Sequence, residues 1–133
     1  MGTNNGSEDF HDEPGTEMKI QKLTEDFLHE ALTSNKGRVA KLLVKDGPLR
    51  QSIIALRAGE TLAEHNSPPA ASAFVLHGQV RISGQEETIL NAGDLEALTH
   101  YRHAVEALED SVFLLTTVTS VLGQDSHSKR REP

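Results

Sequence analysis

The feature that most constrains the fold is a succession of short segments, most of them broken by glycine or aspartate, that begins after residue 37. Asp46-Gly47-Pro48 is the clearest of these breaks, because aspartate, glycine and proline together favour a tight turn. The intervening segments have the length of β-strands. Many short strands at close intervals predict an all-β barrel or sandwich. The predicted strands are 38–44, 49–56, 62–65, 73–77, 79–83, 86–90, 94–98, 103–108 and 111–119.

A different pattern precedes the strands. From Leu23 to Leu32, apolar side chains recur at helical spacing. Thr24 is a good N-cap residue, and the two acids that follow it suit the positive first turn of a helix. The sequence therefore predicts a short helix over about 24–34 that packs on the outside of the barrel.

Two polar segments flank the predicted domain. Residues 1–18 are rich in glycine, asparagine and acids, with few large apolar side chains, which predicts a disordered acidic leader. Residues 123–133 are polar and predict a flexible C-terminal tail. A single domain is expected over 19–122.

Composition narrows the classes of function. A chain of 133 residues with 36% apolar content suits one domain. There is no cysteine, which excludes disulfides and thiolate metal sites and is compatible with a cytoplasmic location. The formal net charge of −7 argues against a nucleic-acid surface. No stretch reads as a signal peptide or membrane span, so no membrane partner is expected.

Two glycine-led blocks each carry a histidine. The first begins at Gly59 and leads to His65, and the second begins at Gly93 and leads to His103. This spacing resembles the two conserved motifs of the cupin superfamily, and the resemblance covers about 38–119. It implies a small single-domain bacterial cupin of the RmlC-like kind. The implied fold is all-β, a double-stranded β-helix or jelly-roll barrel with a short N-terminal helix and any site inside the barrel.

The resemblance also bears on metal binding. Cupin enzymes usually hold a divalent ion with two histidines and a glutamate from the first motif and one histidine from the second. This chain matches that set at His65 and His103, but Ser67 replaces the second histidine and Ala71 the glutamate. A serine hydroxyl is a poor ligand and alanine is none, so no cofactor is expected. The alternative is a reduced site for Mn, Fe, Ni or Zn, in which His100 joins His65 and His103.

The same alignment predicts a pocket at the mouth of the barrel. Ser67 and Ala71 are small and leave room there, and the imidazoles, Ser67 and Arg102 are expected to fix the polar groups of a small organic molecule. The alternative role for Arg102 is an ion pair with Glu96 or Glu106 at the rim. The predicted pocket residues are His65, Ser67, Ala71, Phe74, Tyr101, Arg102 and His103, with Phe113 as a further wall.

Three functions remain open at this point. The first is a non-catalytic sensing or accessory module that binds a small molecule. The second is a metal-dependent oxygenase or isomerase, and the third is a structural homodimer whose barrel is filled by side chains. A homodimer at micromolar concentration is predicted in any case, because the strand 38–44 is rich in leucine and valine and would leave an apolar edge exposed.

Overall fold

The chain, as a computed structural model, is described over residues 17–63, 70–84, 86–98 and 103–119. Most of the predicted leader and all of the predicted tail lie outside these ranges. The described residues form one helix, α1 (Ile20–Thr33), and nine strands. The strands are β1 (Arg38–Asp46), β2 (Leu49–Leu56), β3 (Thr61–Ala63), β4 (Ala70–His77), β5 (Gln79–Ser83), β6 (Thr88–Asn91), β7 (Leu95–Leu98), β8 (Ala104–Ala107) and β9 (Ser111–Val118).

The strands form two antiparallel sheets. One has five strands in the order β1-β2-β9-β4-β7, and the other has four in the order β3-β8-β5-β6. Every adjacent pair is antiparallel, and strands far apart in sequence, such as β2 and β9, lie side by side. Two such sheets packed face to face make a jelly roll. The prediction of an all-β jelly roll with a short helix is confirmed.

The predicted strands all overlap observed ones, and only their ends differ. β1 continues two residues beyond the prediction to Asp46, β4 begins at Ala70 rather than residue 73, and β6 begins at Thr88 rather than residue 86. The end of the predicted strand 62–65 lies outside the described residues. Turn residues therefore located the breaks between strands well, but not the last paired residue on each side of a break.

The helix begins earlier than predicted. α1 starts at Ile20, and the Thr24 hydroxyl donates a hydrogen bond to the Ile20 carbonyl at 2.7 Å, so the N-cap assignment of Thr24 is wrong. The cause is packing, because Met18, Ile20 and Leu23 contact the barrel and extend the helix by one turn. No helix in the described part of the chain is long and apolar enough to cross a membrane.

Two apolar cores hold the structure together. The larger lies between the sheets, and the smaller lies between α1 and the outside of the five-stranded sheet. The larger core consists of Ile54, Leu56, Ala73, Val75, Val80, Ile82, Leu90, Leu98, Val105, Ala107 and Phe113. The smaller consists of Ala31, Leu43, Ile53, Ala55 and Val112, with partly buried neighbours from α1, β1, β4 and β9.

The apolar residues of β1 do not form an exposed edge. Val39, Leu43 and Val44 belong to the smaller core under α1, and Leu43 is only 1% exposed. The apolar side chains of these three residues are therefore covered by α1, although β1 is still the edge strand of its sheet among the described strands. The homodimer stays a prediction.

Arg57 joins the end of α1 to the barrel. Its Nη1 donates to the carbonyl of Ser34, the residue that caps the helix C-terminus, at 3.2 Å. Its backbone N–H donates to the Gly37 carbonyl at 2.7 Å. Gly37 has a φ of 72°, and a Cβ there would lie 2.8 Å from Arg57 Nη2. The positive φ favours glycine, and any side chain there would also have to displace the Arg57 guanidinium.

Candidate functional site

Side chains alternate between two faces along the five-stranded sheet. Ile54, Phe113 and Val75 form one row across β2, β9 and β4, and all three belong to the core between the sheets. Their face is called the inner face. The residues between them in sequence point the other way, onto the outward face, because successive strand residues alternate sides.

The inner face becomes more polar toward one end of the barrel. At this end, called the loop end, β3 ends at Ala63 and β8 begins at Ala104, its partner. One row here consists of Ser52, Leu115, Ala73 and Glu96. The next row consists of Arg50, Thr117, Ala71 and Leu98. An apolar floor therefore gives way to hydroxyl and charged groups as the loop end is approached.

The four inner polar side chains of these rows, Arg50, Ser52, Glu96 and Thr117, are all half-buried. The side chains of Ser52, Glu96 and Thr117 make no hydrogen bond with any other residue in the described ranges. On the outward face of the same strands, in contrast, Gln51 Nε2 donates to Thr116 Oγ1 at 3.1 Å. The inner polar groups thus face the space between the sheets, and within the described ranges no side chain competes for their hydrogen bonds.

Arg50 is held at the β1–β2 turn. Its Nη1 donates to the Gly47 carbonyl at 2.6 Å and to that of its own neighbour Leu49 at 2.9 Å. These bonds fix the guanidinium at the rim of the loop end rather than deep in the barrel.

His103 is the candidate histidine that the structure describes. It lies immediately before β8 and is half-buried. Val105, two residues later, and Ala107 belong to the inner core, so continuing the alternation by one step places His103 on the inner side. This position agrees with the predicted pocket role, which itself stays a prediction.

Ala71 and Phe74 lie on opposite sides of β4. Ala71 packs against the inner core, and so does Phe113, which is fully buried. Their pocket roles stay predictions. Phe74 lies between the buried Ala73 and Val75 and opposite Leu95, which places it on the outward face. The prediction that Phe74 walls the pocket is wrong because strand alternation turns it away from the interior.

The remaining predicted pocket and metal residues lie outside the described residues: His65, Ser67, His100, Tyr101 and Arg102. Their roles stay predictions. Of the two acids considered as partners of Arg102, Glu106 accepts a hydrogen bond from Arg81 Nη1 at 2.7 Å on the outside of the four-stranded sheet. The other, Glu96, faces the interior.

The donor set does not fit the usual four-ligand cupin metal site. Ala71 occupies the inner-face position that corresponds to the glutamate ligand, and a methyl group donates no electron pair. Within the described ranges, no three histidine, aspartate or glutamate side chains come together to hold an ion. A metal at this position would need ligands other than the usual set.

Sequence reasoning missed the inner-face roles of Ser52, Thr117 and Glu96. The inward position of Ser52 could have been predicted. It lies two residues before Ile54 and four before Leu56 in a predicted strand, and alternate residues of a strand share a face. Glu96 was considered only as a partner for Arg102. The assignment of Glu96 requires the pairing of β7 with β4, which no local pattern specifies.

No family model matches the chain, and no curated protein matches it by sequence. Solved structures do match. A conserved protein of unknown function from Streptococcus pyogenes is 21% identical with a TM-score of 0.64, over 84% of this chain and 93% of that one. A cupin superfamily protein from Desulfitobacterium hafniense is 18% identical with a TM-score of 0.59, over 62% of this chain and 78% of that one.

An enzyme also shares the fold. A mutant form of salicylate 1,2-dioxygenase from Pseudoaminobacter salicylatoxidans is 20% identical with a TM-score of 0.64. The match covers 76% of this chain but only 34% of the dioxygenase. At such identities the likeness establishes the fold alone. The chain has the RmlC-like cupin fold.

Proposed function

We propose that this cupin-fold protein binds a small organic molecule inside the barrel at the loop end and acts as a sensing or accessory module without catalysis. The observation that carries the proposal is the change along the inner face from an apolar floor, formed by Ile54, Val75 and Phe113, to half-buried polar side chains. Pockets for small molecules combine this apolar lining with a few placed polar groups.

The polar groups at the loop end would orient the bound molecule. The Ser52 and Thr117 hydroxyls can each donate and accept, the Glu96 carboxylate accepts, and the His103 imidazole can do either. Half-buried polar groups are stabilised when a ligand or water completes their hydrogen bonds. A molecule with an apolar body and hydrogen-bonding substituents at one end matches this arrangement. The absence of cysteine supports placing such a module in the reducing cytoplasm.

Mass spectrometry tests whether the protein carries a bound small molecule. Protein purified without an affinity tag is denatured, and small molecules released in stoichiometric amount are measured. We expect a released compound from the natural chain and its loss from a Ser52→Val, Thr117→Val double variant. Thr116→Val is the matched control, because Thr116 is the adjacent threonine on the outward face. No released compound, with side chains filling the barrel in a crystal structure, would contradict binding and favour the filled structural dimer.

The absence of metal-dependent chemistry is tested separately. A metal-dependent oxygenase or isomerase remains the competing function, since His103 occupies the inner side. Thermal midpoints of the natural chain are measured with and without Mn²⁺, Fe²⁺, Ni²⁺ and Zn²⁺. We expect little change, because Ala71 supplies no ligand. A large metal-dependent rise in the natural chain would overturn the non-catalytic proposal.

The variant Ser67→His with Ala71→Glu restores the usual ligand types. If His65 and His103 converge, we expect metal to stabilise it by about 2.7 kcal/mol when free ion is about 100-fold above its dissociation constant. The control variant, Ser72→His with Ala70→Glu, adds the same side chains to the outward face of β4. An equal response in both variants would show surface binding and contradict a shared site for the two histidines.

A further inference from the structure

Two basic side chains lie side by side where β1 and β2 reach the loop end. Lys45 of β1 pairs directly with Arg50 of β2, and both lie on the inner side because the next pair, Val44 and Gln51, faces outward. Like charges directly opposite one another destabilise a sheet. Among the described residues, no carboxylate lies within ion-pair distance of either side chain. An anion bound here would therefore relieve the repulsion between them.

A hydroxyl group continues the same row across the sheet. Thr117 of β9 pairs with Arg50, and Ala71 of β4 follows as the partner of Thr117. Residues that pair directly on neighbouring strands have Cβ atoms about 5 Å apart, so the Arg50 and Thr117 side chains leave the sheet next to each other. The three residues Lys45, Arg50 and Thr117 are called the donor row. They bring hydrogen-bond donors of two kinds, charged and neutral, to one point of the inner face.

Backbone carbonyls orient the Arg50 guanidinium in advance. Its Nη1 donates to the carbonyls of Gly47 and Leu49, while its Nε and Nη2 donate to no residue in the described part of the chain. A guanidinium carries several N–H donors in a fixed plane, so donors remain for a ligand. A side chain that is already held loses less conformational freedom when a ligand binds. Arg50 is thus positioned to receive a planar anion.

We propose that the donor row binds the carboxylate of a small organic acid. This inference rests on the proposed function and names the chemical class of the molecule held in the barrel. A carboxylate matches the planar donors of arginine and has a second oxygen that can accept from the neighbouring Thr117 hydroxyl. The apolar floor formed by Ile54, Val75 and Phe113 receives the body of the molecule.

Glu96 limits the ligand to one acidic group. It lies on β7, three strands from Arg50 in the sheet order and one row deeper. Strands spaced about 4.8 Å apart place it about 14 Å away across the sheet. A second carboxylate that reached this point would meet a like charge on a half-buried side chain, which is unfavourable. A hydroxyl or amino group there would instead donate to Glu96. The expected ligand is a monocarboxylic acid with an apolar body.

The overall charge of the protein makes a sharp test possible. The formal charge of −7 attracts cations and repels anions in general. It therefore favours benzamidine over benzamide and benzamide over benzoate, three probes of similar shape, whereas the donor row favours the reverse order. Hexylamine, hexanamide and hexanoate repeat the series with an aliphatic body. Dissociation constants are measured on the full chain from NMR amide shifts. We expect the carboxylate to bind at least about 10-fold more tightly than the amide in one series or both.

Variants of the donor row locate the bound carboxylate. Arg50→Gln should weaken carboxylate binding at least about 10-fold and leave amide binding little changed, because only the charged hydrogen bonds are lost. Arg38→Gln is the matched control, since Arg38 lies on the inner side of the same strand pair at the opposite end of β1. Lys45→Gln is a second variant at an exposed position that the fold tolerates. It should weaken carboxylate binding about two- to fivefold, as expected for an exposed charge.

The outcomes separate this inference from the proposed function. Carboxylates that bind no more tightly than amides in both series, or that keep their affinity in both donor-row variants, would overturn the donor row while leaving a pocket for neutral molecules. The same holds if the compound released from the natural protein has no acidic group. A released carboxylic acid that is absent from Arg50→Gln and present in Arg38→Gln would support the donor row. If no probe binds and no compound is released, the pocket itself is absent and both proposals fail.

Discussion

The outward faces of the two sheets differ in how they meet water. The five-stranded sheet presents mostly aliphatic, hydroxyl and amide side chains, with Lys41 and His77 among the exceptions, and α1 covers the part nearest β1 and β2. The four-stranded sheet has no such cover within the described residues. It carries an ion pair between Arg81 and Glu106 at 2.7 Å and an amide pair between Gln79 and Asn91 at 2.9 Å. The outer face of the five-stranded sheet is therefore suited to being covered, whereas that of the four-stranded sheet, called the wet face, is suited to contact with water.

The difference shows that the barrel alone does not determine which residues are buried. Both sheets turn an apolar inner face toward the common core. What distinguishes them is the outer layer, where the five-stranded sheet continues with apolar residues beneath the helix and beyond it. Burial on the outer side of this sheet is therefore explained by the amphipathic helix together with the apolar sheet surface that it covers.

The largest expected effect tests the covered face. Leu43→Ala removes a side chain that is 1% exposed under α1 and should lower the free energy of unfolding by about 2–5 kcal/mol. Ile89→Ala on the wet face should change it by less than about 0.5 kcal/mol. Urea denaturation followed by circular dichroism measures both. Equal losses of unfolding free energy in the two variants would mean that the outer face under α1 is no more buried than the wet face.

A smaller effect is expected where α1 is joined to the barrel. Gly37→Ala forces a side chain into the left-handed region, which costs about 1–2 kcal/mol, and brings its Cβ against the Arg57 guanidinium. Gly47→Ala is the control, because its φ is 54° and no atom lies within 4 Å of the added Cβ. The excess loss of stability in Gly37→Ala over Gly47→Ala measures the contact with Arg57. No excess would indicate that Arg57 moves aside freely.

The smallest effect is expected on the wet face. Glu106→Gln removes the charge that pairs with Arg81, and the side chains of both are more than a third exposed. Exposed ion pairs contribute at most about 1 kcal/mol, and salt screens them. We expect a loss below that value that disappears in concentrated NaCl. A loss that is larger and independent of salt would mean that this face is covered by something in solution.

Much of the fold followed from local signals. Glycine and aspartate breaks located most strands of the described residues, and the two histidine blocks identified the cupin fold before any pairing was known. The helix start was missed because apolar contacts to the barrel extend α1 past its best capping residue, Thr24. Capping preference is worth about 1 kcal/mol and yields to such packing.

The site was harder to predict because it depends on pairing. Phe74 was placed in the pocket because its strand is apolar on both sides, so alternation alone does not say which side faces inward. Register shifts between Leu42 and Val44 and between Val75 and His77 add further changes of side. Such bulges insert an extra residue without a clear local sequence signal. Glu96 was likewise assigned only once β7 was seen beside β4.

The position of β9 between β2 and β4 has a consequence for the order in which the chain folds. The surface that receives α1 is made partly by β2 and partly by Val112 and Leu114, so it is complete only when the last strand has been added. During synthesis the helix therefore leaves the ribosome long before its full docking surface exists. Pairings between such distant segments slow folding because a long loop must close first. We expect α1 to dock late, which leaves its apolar side open to chaperones or to misassembly until β9 is in place.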